Sequence, residues 1–202
     1  MNVGIPSEIK AGEKRVAMSP ANVQSLTDRG VTVRVQTGAG TAAGYPDADY
    51  AAVGATLTTD RSEIFAKSDI ILQVQSFGSN NENSGEDLAM LRSGQLVIGM
   101  MDPLASPQAA QAVASTGATA IALEMVPRIS RAQSMDVLSS MATLAGYKAV
   151  IMGASAAPRI FPMLMTAAGT LQPARVLIMG VGVAGLQACA TAKRLGAVVE
   201  AY

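Results

Sequence analysis

The stretch Val176–Tyr202, VLIMGVGVAGLQACATAKRLGAVVEAY, decides the reading of this chain. Val176-Leu177-Ile178-Met179 is a short apolar run with β-branched members, the pattern of a buried parallel strand. Gly180, Gly182 and Gly185 follow it in the spacing G-x-G-x-x-G. A helix is predicted from about Ala184 to Leu195, with Leu186, Ala190 and Leu195 on one side. Gly196 ends it, and Ala197-Val198-Val199 opens a second strand. Gly180 permits a sharp turn, Gly182 leaves room for a pyrophosphate against the backbone, and Gly185 lets the helix pack close to the strand. Phosphate oxygens would meet unpaired N–H groups and the positive end of the helix dipole. The spacing alone is a weak signal, but here a strand precedes it, a helix follows and a second strand comes next. It predicts a dinucleotide site built from Gly180, Gly182, Val183, Ala184 and Gly185. A glycine-rich strand-to-helix turn with no ligand is the other reading of the same residues.

An acidic residue usually ends the second strand of such a unit and binds the adenine ribose. Glu200 is placed two residues too early for that task, and the chain stops at Tyr202. The expectation is therefore a Rossmann-type fold truncated after its second strand, with NAD and NADP not distinguished at this position.

The rest of the 202 residues bounds the class. Half of them are hydrophobic and only 3% aromatic, so Ala, Val, Gly and Met must fill a core of packed α/β layers. Lys plus Arg and Asp plus Glu both number 15, which gives no basic patch and no reason to expect a nucleic-acid partner. The single cysteine, Cys189, is expected as a small buried residue and rules out an internal disulfide. Histidine is absent, which removes His-based triads, His metal sites and the commonest general base. The N-terminus carries Glu8 early and has no long apolar core, unlike a signal peptide. The most apolar region, Thr143–Met165, is interrupted by Lys148, Pro158, Arg159 and Pro162 and is not expected to span a membrane. A cytosolic location follows by default.

Taken in order, strands are predicted at Asn2–Ile5, Val31–Val35, Ile70–Val74, Gln95–Met101 and Thr119–Leu123. Helices are predicted from Ser19-Pro20 to Arg29, from Asp60 to Ala66 with Glu63 completing a capping box, and from Ser106-Pro107 to Gly117. Gly38-Ala39-Gly40 lacks a third glycine and a following helix and is read as a structural turn. Phe77–Glu86 is expected as a mobile polar loop. Asp136 caps a long helix from Val137 to about Ala154, and Thr166–Arg175 links it to the glycine turn. Alternating strands and helices make this an α/β chain with two parallel-sheet subdomains, 1–137 and 138–202.

Val126–Ser140, VPRISRAQSMDVLSS, places Arg128, Arg131, Gln133 and Asp136 between a strand and a helix, where ligands often sit. By composition it is equally a charged, solvent-exposed loop with an N-cap aspartate. PRISRAQSMD resembles the signature loop of the proton-translocating nicotinamide nucleotide transhydrogenases, in their α subunit. The resemblance continues through LSSMATLAGYKAV, MTAAGT and GVGVAGLQA. It starts at GIPSEIKAGEKRVAMSP, a stretch that family shares with alanine dehydrogenases. The chain resembles the first half of the family's NAD(H)-binding domain.

What the resemblance implies is a Re/Si-specific transhydrogenase in which this chain binds NAD(H). Arg128, Gln133 and Asp136 would be the catalytic loop, and Ser139 would help hold the carboxamide. NADP(H) would sit on a partner domain, with membrane-spanning partners carrying protons. The assembly would be a homodimer on the inner face of the cell membrane, or on the matrix side of a mitochondrion. The isolated chain is expected to be inactive. The alternative within the superfamily is an alanine dehydrogenase-like enzyme. The dehydrogenase site would use Arg15, a lysine in the Ile70–Gln75 strand and a histidine near Met100–Leu104. Here Gln73 and Gln75 stand where lysines are expected, and no histidine exists. Arg15 is therefore expected in a structural ion pair with a nearby glutamate. A non-catalytic dinucleotide-binding module is a third reading.

Overall fold

The computed structural model describes residues 1–80 and 84–202. Contacts divide the chain into two units, Met1–Pro127 and Arg128–Tyr202.

In the first unit, strands β1 (Asn2–Ile5), β2 (Thr32–Gln36), β3 (Thr56–Thr58), β4 (Ile70–Gln75), β5 (Leu96–Met100) and β6 (Thr119–Ala122) form one sheet in the order β3-β2-β1-β4-β5-β6. Every pairing is parallel. Alternation in Thr32–Gln36 drives Val33 and Val35 into complete burial while Arg34 and Gln36 stay partly exposed. Helices α1 (Pro20–Thr27), α2 (Asp47–Ala52), α3 (Arg61–Lys67), α4 (Gly85–Met90) and α5 (Pro107–Ser115) connect the strands. Val23 and Tyr50 close one core cluster over Val3, Ile5, Val33 and Val35. Ile64, Phe65 and Val113 close the other over Ile71 and Val97.

Several local expectations hold and others do not. Asp60 caps α3 by accepting the Ser62 N–H at 2.8 Å. Glu63 does not complete the capping box, because Lys67 and Thr58 engage its carboxylate at 2.7 and 2.6 Å. The short elements α2, β3 and α4 have no counterpart among the predicted ones. The loop expected at Phe77–Glu86 starts as a buried 3-10 turn, Phe77–Asn80, and runs into α4 at Gly85. Its centre, 81–83, lies outside the described residues.

The second unit holds α6 (Val137–Ala156), a hairpin of β7 (Leu164–Thr166) and β8 (Gly169–Leu171), then β9 (Arg175–Ile178), α7 (Val183–Arg194) and β10 (Val198–Ala201). The hairpin is antiparallel and occupies much of the expected linker. Strands β9 and β10 pair in parallel, as strand–helix–strand logic requires. α7 buries Ala188, Thr191 and Ala192, whereas Leu186 is 60% exposed, so the face expected from Leu186, Ala190 and Leu195 is rotated. Small residues take the buried face because α6 lies directly on α7. The Cβ of an alanine at Gly146 would fall 2.1 Å from the Ala184 carbonyl oxygen. α6 starts at Val137 and stops before Pro158, so by length and composition alone it could cross a membrane, contrary to the interrupted reading from Thr143. Its buried residues are Gly146 and Val150, the latter in a core cluster beside Ala188 and Ala192.

Candidate functional site

Two parts of the second unit carry the residues singled out above. The first is the approach to α6. Arg128 precedes a 3-10 turn, Ser130–Met135, that delivers Asp136 to the N-cap of α6. The Asp136 carboxylate accepts the Ser139 N–H at 2.9 Å and the Ser139 hydroxyl at 2.6 Å. Arg128 donates to the Ser139 hydroxyl oxygen at 3.0 Å and lies 3.6 Å from the Asp136 carboxylate. The Ser139 bonds, then Arg128, hold the Asp136 carboxyl below the usual carboxylate range. Three of the expected residues are thus gathered into one bonded set. Gln133 and Arg131 are not part of it: both side chains are exposed, and Gln133 contributes only its carbonyl, to the Asp136 N–H.

The second part is the glycine turn. Gly180 has φ +93°, which a side chain would strain. A Cβ at Gly185 would fall 1.8 Å from the Gly180 carbonyl oxygen, so the helix can begin this close to the turn only with glycine there. Gly182 is the N-cap of α7, no side chain caps the helix, and no acidic residue lies in its first turn. Nothing lies within 4 Å of where a Gly182 Cβ would point. Open space, uncapped N–H groups and a helix N-terminus together fit a phosphate group. Val183 and Ala184 supply the first backbone of that helix. Glu200 forms an ion pair with Arg175.

The first unit has a polar cluster of its own. Its strand order reverses between β1 and β4, the usual ligand position in such sheets. Here side chains already occupy the carboxyl ends. Glu8 accepts the backbone N–H groups of Val74 and Gln75 at 2.6 and 3.0 Å. Burial raises its pKa, and those two bonds oppose the rise. Arg15 grips Glu13 through two bonds, 2.8 and 2.6 Å, and Gln75 donates to the same carboxylate at 3.1 Å. Arg15 is the main cause of a Glu13 pKa lowered to about 2, with burial working against it. The expected Arg15–glutamate ion pair is therefore present. Gln73 is buried, donating to Asp87 and accepting from Ser76, while Arg61 clamps Asp87 at 2.6 and 2.7 Å. Glu124 accepts the N–H groups of Met101 and Asp102 in the segment where a dehydrogenase would want a histidine. A separate cavity of about 230 Å³ beneath α5 is lined by Phe77, Met101, Val113 and several alanines, with no titratable side chain.

The alanine dehydrogenase/PNT N-terminal domain matches residues 4–145, and the C-terminal domain of the same family matches residues 149–202. The chain belongs to the alanine dehydrogenase/PNT family. An NAD(P) transhydrogenase subunit alpha protein of Rhodospirillum rubrum is 47% identical over 201 residues, covering 100% of this chain and 52% of that protein. An alanine dehydrogenase of Mycobacterium tuberculosis is 35% identical over 98% of this chain and 52% of its own length. The crystal structure of transhydrogenase from Sinorhizobium meliloti superposes with a TM-score of 0.92 at 46% identity, over 100% of this chain and 56% of that one. The chain spans about half the length of the curated relatives it matches.

Both branches of the alanine dehydrogenase/PNT family share this fold, so the choice between them rests on particular residues. Sequence reasoning names Arg128, Asp136 and Ser139, which are bonded to one another, and the glycines of the turn. It misses the Glu8 anchor and the Arg61–Asp87–Gln73 chain, whose partners are 14 to 67 residues apart. It also misses Gly146, whose only signal is a glycine inside an otherwise favourable helix pattern.

Proposed function

We propose that this chain is the NAD(H)-binding part of a proton-translocating transhydrogenase, which passes hydride from NADH to NADP⁺. The observation that carries the reading is amide chemistry where a dehydrogenase needs acid and base. Gln73 is committed to Asp87 and Ser76, and Gln75 to Glu13. Oxidative deamination moves protons as well as a hydride and needs groups that exchange them. Transfer between two nicotinamide rings moves no proton at the reacting carbons and needs position and exclusion of water.

In this reading Gly180, Gly182, Val183, Ala184 and Gly185 hold the pyrophosphate with backbone N–H groups. Asp136 and Ser139 hold the carboxamide, and Arg128 keeps both oriented. Gln133, exposed on its 3-10 turn, reaches toward NADP(H) carried by a partner domain. Bound NADH supplies the hydride. The assembly is a homodimer with NADP(H)-binding and membrane-spanning partners, on the cytoplasmic face of the membrane or the matrix side of a mitochondrion. The 47% identity to a transhydrogenase subunit over the whole chain supports this more than the 35% identity to an alanine dehydrogenase supports the alternative.

The test is hydride transfer from NADH to an NADP⁺ analogue by the assembled protein, comparing wild type with Gln133→Asn. Transfer in wild type and a large loss in the variant, with NADH binding kept, is the expected result. Alanine-dependent NAD⁺ reduction with no transfer between nucleotides would replace this reading with the dehydrogenase. Nucleotide binding with neither reaction would leave a binding module.

A further inference from the structure

We propose that Gly146 is a positioning residue that fixes the polar loop at Asp136 relative to the glycine turn at Gly180–Gly185. This rests on the transhydrogenase reading above and deepens it. The two parts of the site belong to different helices. Asp136 and Ser139 sit at the start of α6, and the glycine turn is the start of α7. What relates them is the place where the helices touch.

That place is Gly146. The Cβ of any larger residue would fall 2.1 Å from the Ala184 carbonyl oxygen, 2.9 Å from its carbonyl carbon and 3.1 Å from its Cα. All three atoms are backbone, in the first turn of α7, so no side-chain rotation relieves the clash. Gly146 and Val150 are the buried residues of α6, one turn apart. Val150 packs in one cluster with Ala188 and Ala192 of α7. Backbone thus meets backbone at Gly146 and Ala184, beside the glycine turn, and Val150 meets small side chains further along α7.

The geometry follows from helix dimensions. Ten residues separate Asp136 from Gly146, about 15 Å of stiff helix at 1.5 Å per residue. A Cβ at Gly146 must push α6 off α7 by on the order of 1 Å to restore ordinary contact. The displacement is carried rigidly to Asp136 and Ser139. The glycine turn, made within α7 and β9, keeps its own bonds. Binding through the pyrophosphate is therefore retained while the loop that orients the reacting ring is misplaced. Misplacement by about 1 Å costs on the order of 10²-fold in rate.

α6 carries its own control. Gly153, two turns further on, is exposed, and nothing lies within 4 Å of its Cβ direction. An alanine there only improves helix propensity.

The experiment measures NADH affinity and hydride-transfer rate in the assembled transhydrogenase for wild type, Gly146→Ala and Gly153→Ala. Gly146→Ala is expected to lose on the order of 10²-fold in transfer rate, with a much smaller change in NADH affinity. Gly153→Ala is expected to match wild type in both and to melt at a higher temperature. If Gly146→Ala does not fold, Ala188→Val wedges the same interface from α7 and must show the same split. Val150→Ala, which empties that interface without separating the helices, must lose stability but keep the ratio of rate to affinity. Equal loss of rate and affinity at position 146, or wild-type behaviour there, overturns the proposal. Absence of transfer in wild type overturns the functional reading and this one with it.

Discussion

Glu13 sits among four hydrogen-bond donors supplied by two residues: the backbone N–H, Nε and Nη2 of Arg15, and the amide of Gln75. These favour the carboxylate over the acid, and the pKa falls from 4.5 to about 2. A depressed carboxylate pKa stabilises the folded state fully above the unfolded value. That contribution is lost as pH falls through the folded value. Glu13→Gln is therefore expected to be less stable than wild type at neutral pH, with the deficit shrinking between pH 4.5 and about 2. Urea unfolding at several pH values checks this. A deficit that stays constant across that window would mean the ion pair with Arg15 contributes nothing through charge. Glu8 shows the opposite trend, its pKa being raised chiefly by burial and in smaller part by the Glu13 charge, so the variant weakens that trend as well.

At the scale of elements, α6 is held at its start by Asp136, which both caps the helix and meets Arg128. The two tasks separate by substitution. Asn caps nearly as well as Asp, whereas Ala does not and costs about 1 kcal/mol. Asp136→Asn is expected to melt like wild type and Asp136→Ala to lose about 1 kcal/mol. Both are expected to lose hydride transfer, because both remove the charge facing Arg128. Full activity in Asp136→Asn would reduce the residue to a cap. Elements like α6, with a capping aspartate before a twenty-residue stretch free of proline and rich in Ala, Leu and Met, are legible in the sequence. So are β1, β2, β4 and β5, whose valines and isoleucines mark a buried sheet. α2, β3 and α4 are not, being three to six residues long with too few periodic positions to register. The buried face of α7 is hidden for another reason: hydrophobicity favours Leu186, while the packing selects Ala188 and Ala192 for their small size. The polar loop is legible as composition and as a resemblance. The bonds joining Arg128, Asp136 and Ser139 need the helix register.

Across the whole molecule, the two units bury their apolar residues unequally. The first unit pairs all six strands and leaves Ile5, Val33, Val35, Phe65, Ile71 and Val97 fully buried. The second has only two parallel strands beside its hairpin, and two-stranded sheets are marginal alone. Leu177 is 64% exposed, Met179 83% and Met165 81%, and α6 presents Leu144 and Met152 as well. Such patches on a soluble chain call for a cover or promote association. A segment ending at Pro127 is therefore expected to melt cooperatively, to run as a single species and to bind little of an apolar fluorescent dye. The 202-residue chain studied alone is expected to bind the dye strongly and to self-associate as concentration rises, with the Arg128–Tyr202 unit opening first in hydrogen exchange. Calorimetry, light scattering and exchange on both chains test this. If the shorter chain fails to fold while the longer one is monomeric and cooperative, the two units depend on each other for stability. The exposed faces of α6 and β9 would then be tolerated surface, and the proposed homodimer would lose its physical motive.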